Sequence, residues 1–282
     1  MLTIFTVPKP FAGHVGVIQR NALASWARLP GDVEIVVCGD EAGTATAAAE
    51  VGAIHVETLE RNEFGTPRVD SLFESALRVA TRPVLVYANA DLILLSDLPR
   101  AIARIGLPRY LVAGRRRNIS VRERLDFDRP GWEDALRDQS IRQGRLEHPW
   151  GSDYFVFPAE LPLGPLPPFA VGRPLWDNWL FYRARALGIP VVDATKAIVP
   201  IHQMHGYEHI PGGSGAPWDG PEADANHVVS RAAMDGRDRV FHLWDATHLL
   251  TERDLRRARR PQHLWRRLKM SPSRGLGQRP ML

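Results

Sequence analysis

The sequence predicts an α/β fold: a mostly parallel sheet with helices on both faces, continued by an irregular second half. Three observations carry this expectation. Over the first 115 residues, short and nearly continuous apolar runs alternate with helical segments, and such runs read as strands buried on both faces. Their order is β-α-β-α-β-α-β, the pattern of a parallel sheet covered on both sides. From residue 116 onward the regularity fades, and prolines and glycines gather in Leu161–Pro174 and Gly206–Pro221.

Each element has its own signal. Leu2–Val7 is β-rich and closed by Pro8-Lys9-Pro10, and a helix over Val17–Arg28 is stopped by Pro30-Gly31. Val33–Cys38 (VEIVVC) is a buried strand, Glu41–Val51 an alanine-rich helix and Ala53–Val56 a short strand. Thr66-Pro67 signals a helix start, with Thr as N-cap and Pro at the first helical position, and that helix is expected to reach Ala80. Val84–Ala88 (VLVYA) is another buried strand and runs into Asn89-Ala90-Asp91. Beyond it, a helix over Trp132–Gln143 and a strand over Tyr154–Phe157 are expected, then an amphipathic helix over Asp177–Leu187 ended by Gly188. Val191–Asp193 and Ala197–Ile201 read as short strands.

Composition sets the class. The chain has 282 residues, 44% hydrophobic and 24% charged, which is ordinary for a globular protein. A single cysteine, Cys38, rules out a disulfide framework and reads as a packing residue. No apolar run reaches the ~18 residues of a membrane span, and MLTIFTVPKP lacks the features of a signal peptide. A soluble, cytoplasmic protein is expected. The net charge of +4 divides unevenly: residues 251–282 carry ten basic and two acidic groups, leaving 26 basic and 30 acidic in the rest. The body is therefore mildly acidic, and the overall charge does not point to nucleic acid. One domain is expected over 1–250, with halves 1–115 and 116–250, followed by a basic tail, 251–282. Within the tail, Asp254–Lys269 places Leu255, Leu264, Trp265 and Leu268 among arginines. That pattern suits an amphipathic segment, broken at Pro261, for the inner face of a membrane, or simply a solvated terminus.

Ligands of open α/β sheets bind outside the carboxyl ends of the strands. Pro8–Phe11, Gly39-Asp40 and Asn89–Asp91 should therefore surround one cleft. Asn89 and Asp91 are oxygen-bearing side chains at i, i+2 on a strand end. Hard divalent cations prefer such ligands and let substrate phosphates complete the shell; an Asx turn is the alternative reading. Asp177 at a helix start is either a base or an N-cap, and Asp153 competes with it. Six of ten histidines lie between 202 and 248. His202-x2-His205-x3-His209 also admits a zinc reading.

Together these segments resemble GT-A fold glycosyltransferases. The strand–Asn89-x-Asp91–apolar run resembles their Asp-x-Asp element, with Asn89 in place of the first aspartate. Gly39-Asp40 resembles the nucleobase contact, and Arg61-Asn62-Glu-Phe-Gly-Thr-Pro-Arg68 the segment lining the nucleotide-sugar site. Trp150-Gly-Ser-Asp153-Tyr-Phe is similar to the strand flanking the transferred sugar. Trp176-Asp177-Asn178-Trp179 is similar to the helix that carries the catalytic carboxylate of inverting members. The resemblance spans about residues 2–227.

It implies a GT-A-like, Rossmann-type sheet and transfer of a sugar from a nucleoside-diphosphate sugar to a glycan, lipid-linked or small-molecule acceptor. The setting it implies is bacterial surface glycan or glycoconjugate synthesis. Thr6, Asp40, Arg61, Asn62, Arg68 and Asn89 would hold the nucleotide. Mn²⁺ or Mg²⁺ would sit at Asp91, Asn89, His202 and His205. Trp150, Asp153 and Trp176 would meet the sugar or acceptor, and Asp177 would be the base. Charge developing on the leaving diphosphate calls for a cation, and direct inversion calls for one base. The Gly206–Pro221 loop, with Glu222 and Asn226 beyond it, is expected to act as a lid. Two alternatives remain: a sugar-phosphate nucleotidyltransferase, whose glycine-rich signature with a following Arg and Lys is absent after the first strand, and a non-catalytic nucleotide-sugar-binding or scaffold protein.

Overall fold

The computed structural model describes residues 1–205, 218–234 and 240–259. The amino-terminal half is four parallel strands, β1 (Leu2–Thr6), β2 (Val33–Cys38), β3 (Ile54–Val56) and β4 (Val84–Ala88). They are joined by α1 (Gly13–Trp26), α2 (Thr44–Glu50) and α3 (Val69–Val79). Next come β5 (Leu92–Ile93), α4 (Asp97–Ile102), β6 (Leu111–Ala113), β7 (Arg117–Ile119), α5 (Trp132–Gln143) and β8 (Arg145–Leu146). Then follow β9 (Tyr154–Pro158), α6 (Trp176–Ala186), β10 (Val191–Asp193), β11 (Ile201–Gln203), α7 (Pro221–Ala233), β12 (His248–Leu250) and β13 (Leu255–Arg257).

The main sheet runs β13-β12-β10-β6-β9-β4-β1-β2-β3. It is mostly parallel; β9 lies antiparallel between β4 and β6, and β13 antiparallel on the edge strand β12. Side chains alternate across a strand, and here alternate residues enter two different cores. Phe5, Val36, Cys38, Leu85, Tyr87, Phe155 and Phe157 face one core, with α3 and α6 packed on it. Ile4, Ile35, Val37, Val86, Ala88, Tyr154 and Val156 face the other, under α1, α2 and α4. This double burial is why the strands are apolar without interruption. Cys38 belongs to the first core, and burial pushes its thiol up to about 12.

A small second sheet, β5-β11-β7-β8, sits at the end of β4. Its strands are only two or three residues long, and it decides where the late histidines go.

Some boundaries depart from expectation. α3 starts at Val69, with Arg68 as N-cap, so Thr66-Pro67 does not begin it. Instead Pro67 bridges to Arg61 and Arg68 to Ala170, and Asn62 Oδ1 accepts the Thr66 N–H at 2.9 Å. The strand expected over Ala197–Ile201 is Ile201–Gln203, because the N–H groups of Ala197 and Ile198 fold back to the Ala194 carbonyl. The helix Pro221–Ala233 was not foreseen; Pro at its first position suits a helix start. The sheet does not stop at residue 250: Leu255–Arg257, placed in the tail by charge alone, pairs with β12 as a strand. The Gly206–Pro221 loop lies outside the described residues except for 218–221, and the tail from residue 260 lies outside them altogether. Among the described residues, no helix is long and apolar enough to cross a membrane.

Candidate active site

The carboxyl ends of β1 and β4, the segment Glu147–Asp153 and the start of α6 surround a cleft of about 760 Å³. It lies where a parallel sheet is expected to bind ligands. Asn89, Asp91, Trp150, Asp153, Trp176, Asp177, His202 and His205 all line it.

One end of the cleft holds a carboxylate and two imidazoles. β11 pairs antiparallel with β5, setting His202 opposite Leu92 and so beside Asp91. His202 Nε2 lies 3.6 Å and His205 Nε2 3.1 Å from Asp91 Oδ2. The ligand atoms of the three residues are all within 4.8 Å of one another. Burial acts to raise the Asp91 pKa, but the two imidazoles outweigh it and hold the carboxyl well below the usual range. Asp91 Oδ1 and His202 Nδ1 are buried with no hydrogen-bond partner among the described residues. Buried polar atoms are rarely left so, and a divalent cation bound by this set would engage the carboxylate. The donor set, one oxygen ligand and two imidazole nitrogens, fits a metal that accepts both. His209, the third member of the zinc spacing, lies outside the described residues.

Asn89 is held differently. The Tyr87 hydroxyl donates to its Oδ1 at 2.7 Å, and its N–H donates to the Asp153 carbonyl at 2.8 Å. Its side-chain oxygen is therefore already engaged, and the amide is left to offer its N–H groups. Burial, then the charges of Asp153, Asp91 and Asp177, push the Tyr87 pKa up. A second aspartate at position 89 would add to this negative charge.

Of the other carboxylates in the lining, Asp153 and Asp177 stand in contrasting states. Asp153 is buried and accepts from Arg116 Nη1 through both oxygens. Asp177 has no cationic partner among the described residues; its Oδ2 accepts the Ser152 N–H at 3.1 Å. Burial raises the Asp177 pKa to about 6 against the pull of backbone N–H groups at the α6 start. Leu175, just before α6, has φ 83°, the only non-glycine residue with positive φ among those described. Such a conformation costs of order 1–3 kcal/mol and clusters at functional sites. Asn178 Nδ2 donates to the Trp150 carbonyl at 3.1 Å, tying the two segments together. Trp150 is 61% exposed and stacks on His148 at 5.4 Å. Trp176 reaches the lining but is only 8% exposed, packed on Tyr87 at 5.0 Å.

The other expected nucleotide residues lie around the cleft rather than in its lining. Arg61 pairs with Asp40 and, at 3.1 Å, with Glu41, and this pairing lowers the Asp40 pKa. Asn62 Nδ2 donates to Glu222 at 2.8 Å, and Arg68 pairs with Asp70 and Glu60. Thr6 is fully buried, its hydroxyl without a partner among the described residues, while the next residue, Val7, lines the cleft. Sequence reasoning brought Lys9 to the cleft only as part of Pro8–Phe11, without a role of its own, and missed Arg116, Glu147 and Arg173, all in the lining. Lys9 had a signal, since it follows the first strand between two prolines. The others lie on loops or short strands with no local pattern.

No family model matches the sequence, and no curated protein matches it. Solved structures match over most of the chain. Glucosyl-3-phosphoglycerate synthase from Mycobacterium tuberculosis, in complex with Mn²⁺, uridine diphosphate and glucosyl-3-phosphoglycerate, is 14% identical with a TM-score of 0.49, over 84% of this chain and 81% of that one. The same enzyme with Mg²⁺ and uridine diphosphate is 13% identical with a TM-score of 0.48, over 84% and 80%. A mannosyltransferase from Pyrobaculum calidifontis, in complex with GDP-Man and Mn²⁺, is 16% identical with a TM-score of 0.47, over 83% and 72%. Each of these three structures holds Mn²⁺ or Mg²⁺ together with uridine diphosphate or GDP-Man.

Proposed function

We propose that the chain is an inverting, metal-assisted glycosyltransferase that moves a sugar from a nucleoside-diphosphate sugar to a hydroxyl acceptor. The observation that carries this reading is the division of labour among carboxylates in one cleft. Asp91 is grouped with two imidazoles, Asp153 is neutralised by Arg116, and Asp177, half-buried and with no cation beside it among the described residues, alone has a raised pKa. Asp91, His202 and His205 would hold the cation, and two imidazoles beside one carboxylate favour Mn²⁺ over Mg²⁺. When bound, the cation supplies positive charge to the leaving diphosphate. Asp177, ionised at neutral pH yet more basic than an ordinary aspartate, takes the proton of the attacking hydroxyl. The new glycosidic bond forms as the bond from the anomeric carbon to the diphosphate breaks. A single displacement inverts that carbon.

The exposed Trp150 indole beside Asp177 suits the face of a sugar ring, and the lining arginines are already paired, Arg116 with Asp153 and Arg173 with Glu222. An uncharged, hydroxyl-bearing acceptor, free or lipid-linked, fits this arrangement. Surface glycan synthesis at the cytoplasmic face of a membrane suits the basic tail. Flotation on anionic liposomes by the full chain but not by residues 1–259 would support that placement, and equal behaviour would remove it. The central test is thermal-shift screening against UDP-, GDP- and dTDP-sugars with and without Mn²⁺. Stabilisation by a donor should be lost in Asp91→Ala and kept in Asp177→Ala, with turnover gone in both. No stabilisation by any donor would overturn the reading.

A further inference from the structure

Three side-chain cations other than histidine line the cleft: Lys9, Arg116 and Arg173. Arg116 is neutralised by Asp153, and Arg173 by Glu222. Lys9 differs, since its ammonium makes no hydrogen bond or ion pair among the described residues. Lys9 is half-buried, and a lysine so placed without a protein partner leaves its charge to be met by a ligand or solvent. Burial acts to lower its pKa, as does the charge of Arg173, while Asp91 acts in the opposite direction. Lys9 therefore lies within the field of the Asp91 carboxylate without being engaged by it.

The backbone under Lys9 is held in place. Gln19, buried on α1, accepts the Lys9 N–H at 2.7 Å and donates to the Lys9 carbonyl at 2.8 Å. Pro8 and Pro10 fix φ on either side. A main chain secured this closely, with its side chain in the cleft, suggests positioning for a ligand rather than for a protein partner. The residue type agrees. The chain has three lysines among its 36 basic residues, so lysine is not its default cation. An ammonium is a compact point charge with three donors, suited to phosphate oxygens where a guanidinium would be too broad.

We propose that Lys9 is a diphosphate-binding residue of the donor site, acting beside the Asp91–His202–His205 cluster on the leaving group. This rests on the glycosyltransferase reading. As the bond from the anomeric carbon to the diphosphate breaks, its electron pair passes to the diphosphate oxygen. The Lys9 ammonium keeps its proton and offsets the added negative charge. It is the lining's one cation, among the described side chains, that is not committed to a protein carboxylate.

Calorimetric titration of the full chain and of Lys9→Met tests the proposal, using Mn²⁺ alone, then UDP, GDP, dTDP and inorganic pyrophosphate, each with Mn²⁺ and in EDTA. Lys9→Met should bind the preferred nucleoside diphosphate and pyrophosphate at least tenfold more weakly, in EDTA as well as with Mn²⁺. Its affinity for Mn²⁺ alone should be unchanged or tighter, since a nearby positive charge has been removed. Equal diphosphate affinity in the two proteins would overturn the Lys9 assignment and leave the glycosyltransferase reading standing. A parallel loss of Mn²⁺ and diphosphate affinity would mean that Lys9 only supports the fold, and would also overturn it. Failure of the wild-type chain to bind any of the three nucleotides would overturn the reading itself, and Lys9 with it.

Discussion

Asp177 carries two opposed consequences of one placement. Its folded-state pKa of about 6 lies above the ordinary aspartate value, so ionising it costs stability. The cost is absent below about pH 4, grows between about pH 4 and 6, and is fully present above that. Asp177→Asn removes it while keeping an oxygen for the Ser152 N–H. The variant should gain about 2–3 kcal/mol at pH 7.5 and almost nothing at pH 4, as read from denaturant midpoints. Turnover should fall by roughly 10²–10⁴, and wild-type kcat should climb with pH through about 6 to a plateau. A rate flat from pH 5 to 8 would remove Asp177 from the role of base. At the other end of the cleft, His202→Ala and His205→Ala should each weaken Mn²⁺ binding by at least ~10-fold in calorimetry. Asp91 and Asp177 were legible in the sequence because each stands where a periodic element ends, and polar groups at such ends face the cleft. The place of Lys9 was legible in the same way, within Pro8–Phe11; its role and that of Arg116 were not, because what distinguishes them is whether a carboxylate from a distant segment neutralises them.

The β11 strand turns three residues into parts of a site. Ile201 is buried in the small core of the second sheet, His202 faces the cleft, and Gln203 is fully buried on the other side. Gln203 Nε2 donates to the Ile18 and Asp91 carbonyls at 2.8 and 3.1 Å, and its Oε1 accepts from Asn21 at 3.0 Å. One amide thus joins α1, the Asp91 turn and the histidine strand. Gln203→Leu keeps the size and removes these bonds, so it should cost about 2–4 kcal/mol. It should also weaken Mn²⁺ binding, although Gln203 is no ligand. Unchanged Mn²⁺ affinity in a destabilised variant would show that the histidines do not depend on this joint. The large sheet was readable because its strands are buried on both faces and hence apolar throughout. The small sheet was not, since two- and three-residue strands show no period and one of its pairings, that of His202 with Leu92, joins strands more than 100 positions apart. The Thr66-Pro67 signal misled for a related reason: Asn62 and the Ala170 bridge claim that backbone before a helix can.

At the scale of the whole chain, charge drew one border and the sheet draws another. Composition separates a −4 body from a +8 tail at residue 250. The main sheet continues to Arg257, and Ala258 is buried with its N–H donating to the Thr247 carbonyl at 2.8 Å. Counted to residue 259, the body has 30 basic and 32 acidic groups, and residues 260–282 have six basic and none acidic. The first four arginines of the tail therefore belong to the folded domain. β13 satisfies the outer edge of β12, an edge that would otherwise present unpaired backbone groups. Beneath it, Leu250 is buried and Leu255 packs on the same core. Removing β13 uncovers that apolar surface together with the edge. A chain ending at residue 250 should lose about 2 kcal/mol, a fall of roughly 4–8 °C in Tm, and should associate more readily as protein concentration rises. A chain ending at residue 259 should melt within a degree or two of the full-length protein. Equal melting of the 1–250 and full-length chains would return the border to residue 250 and make β13 a strand without consequence for the fold.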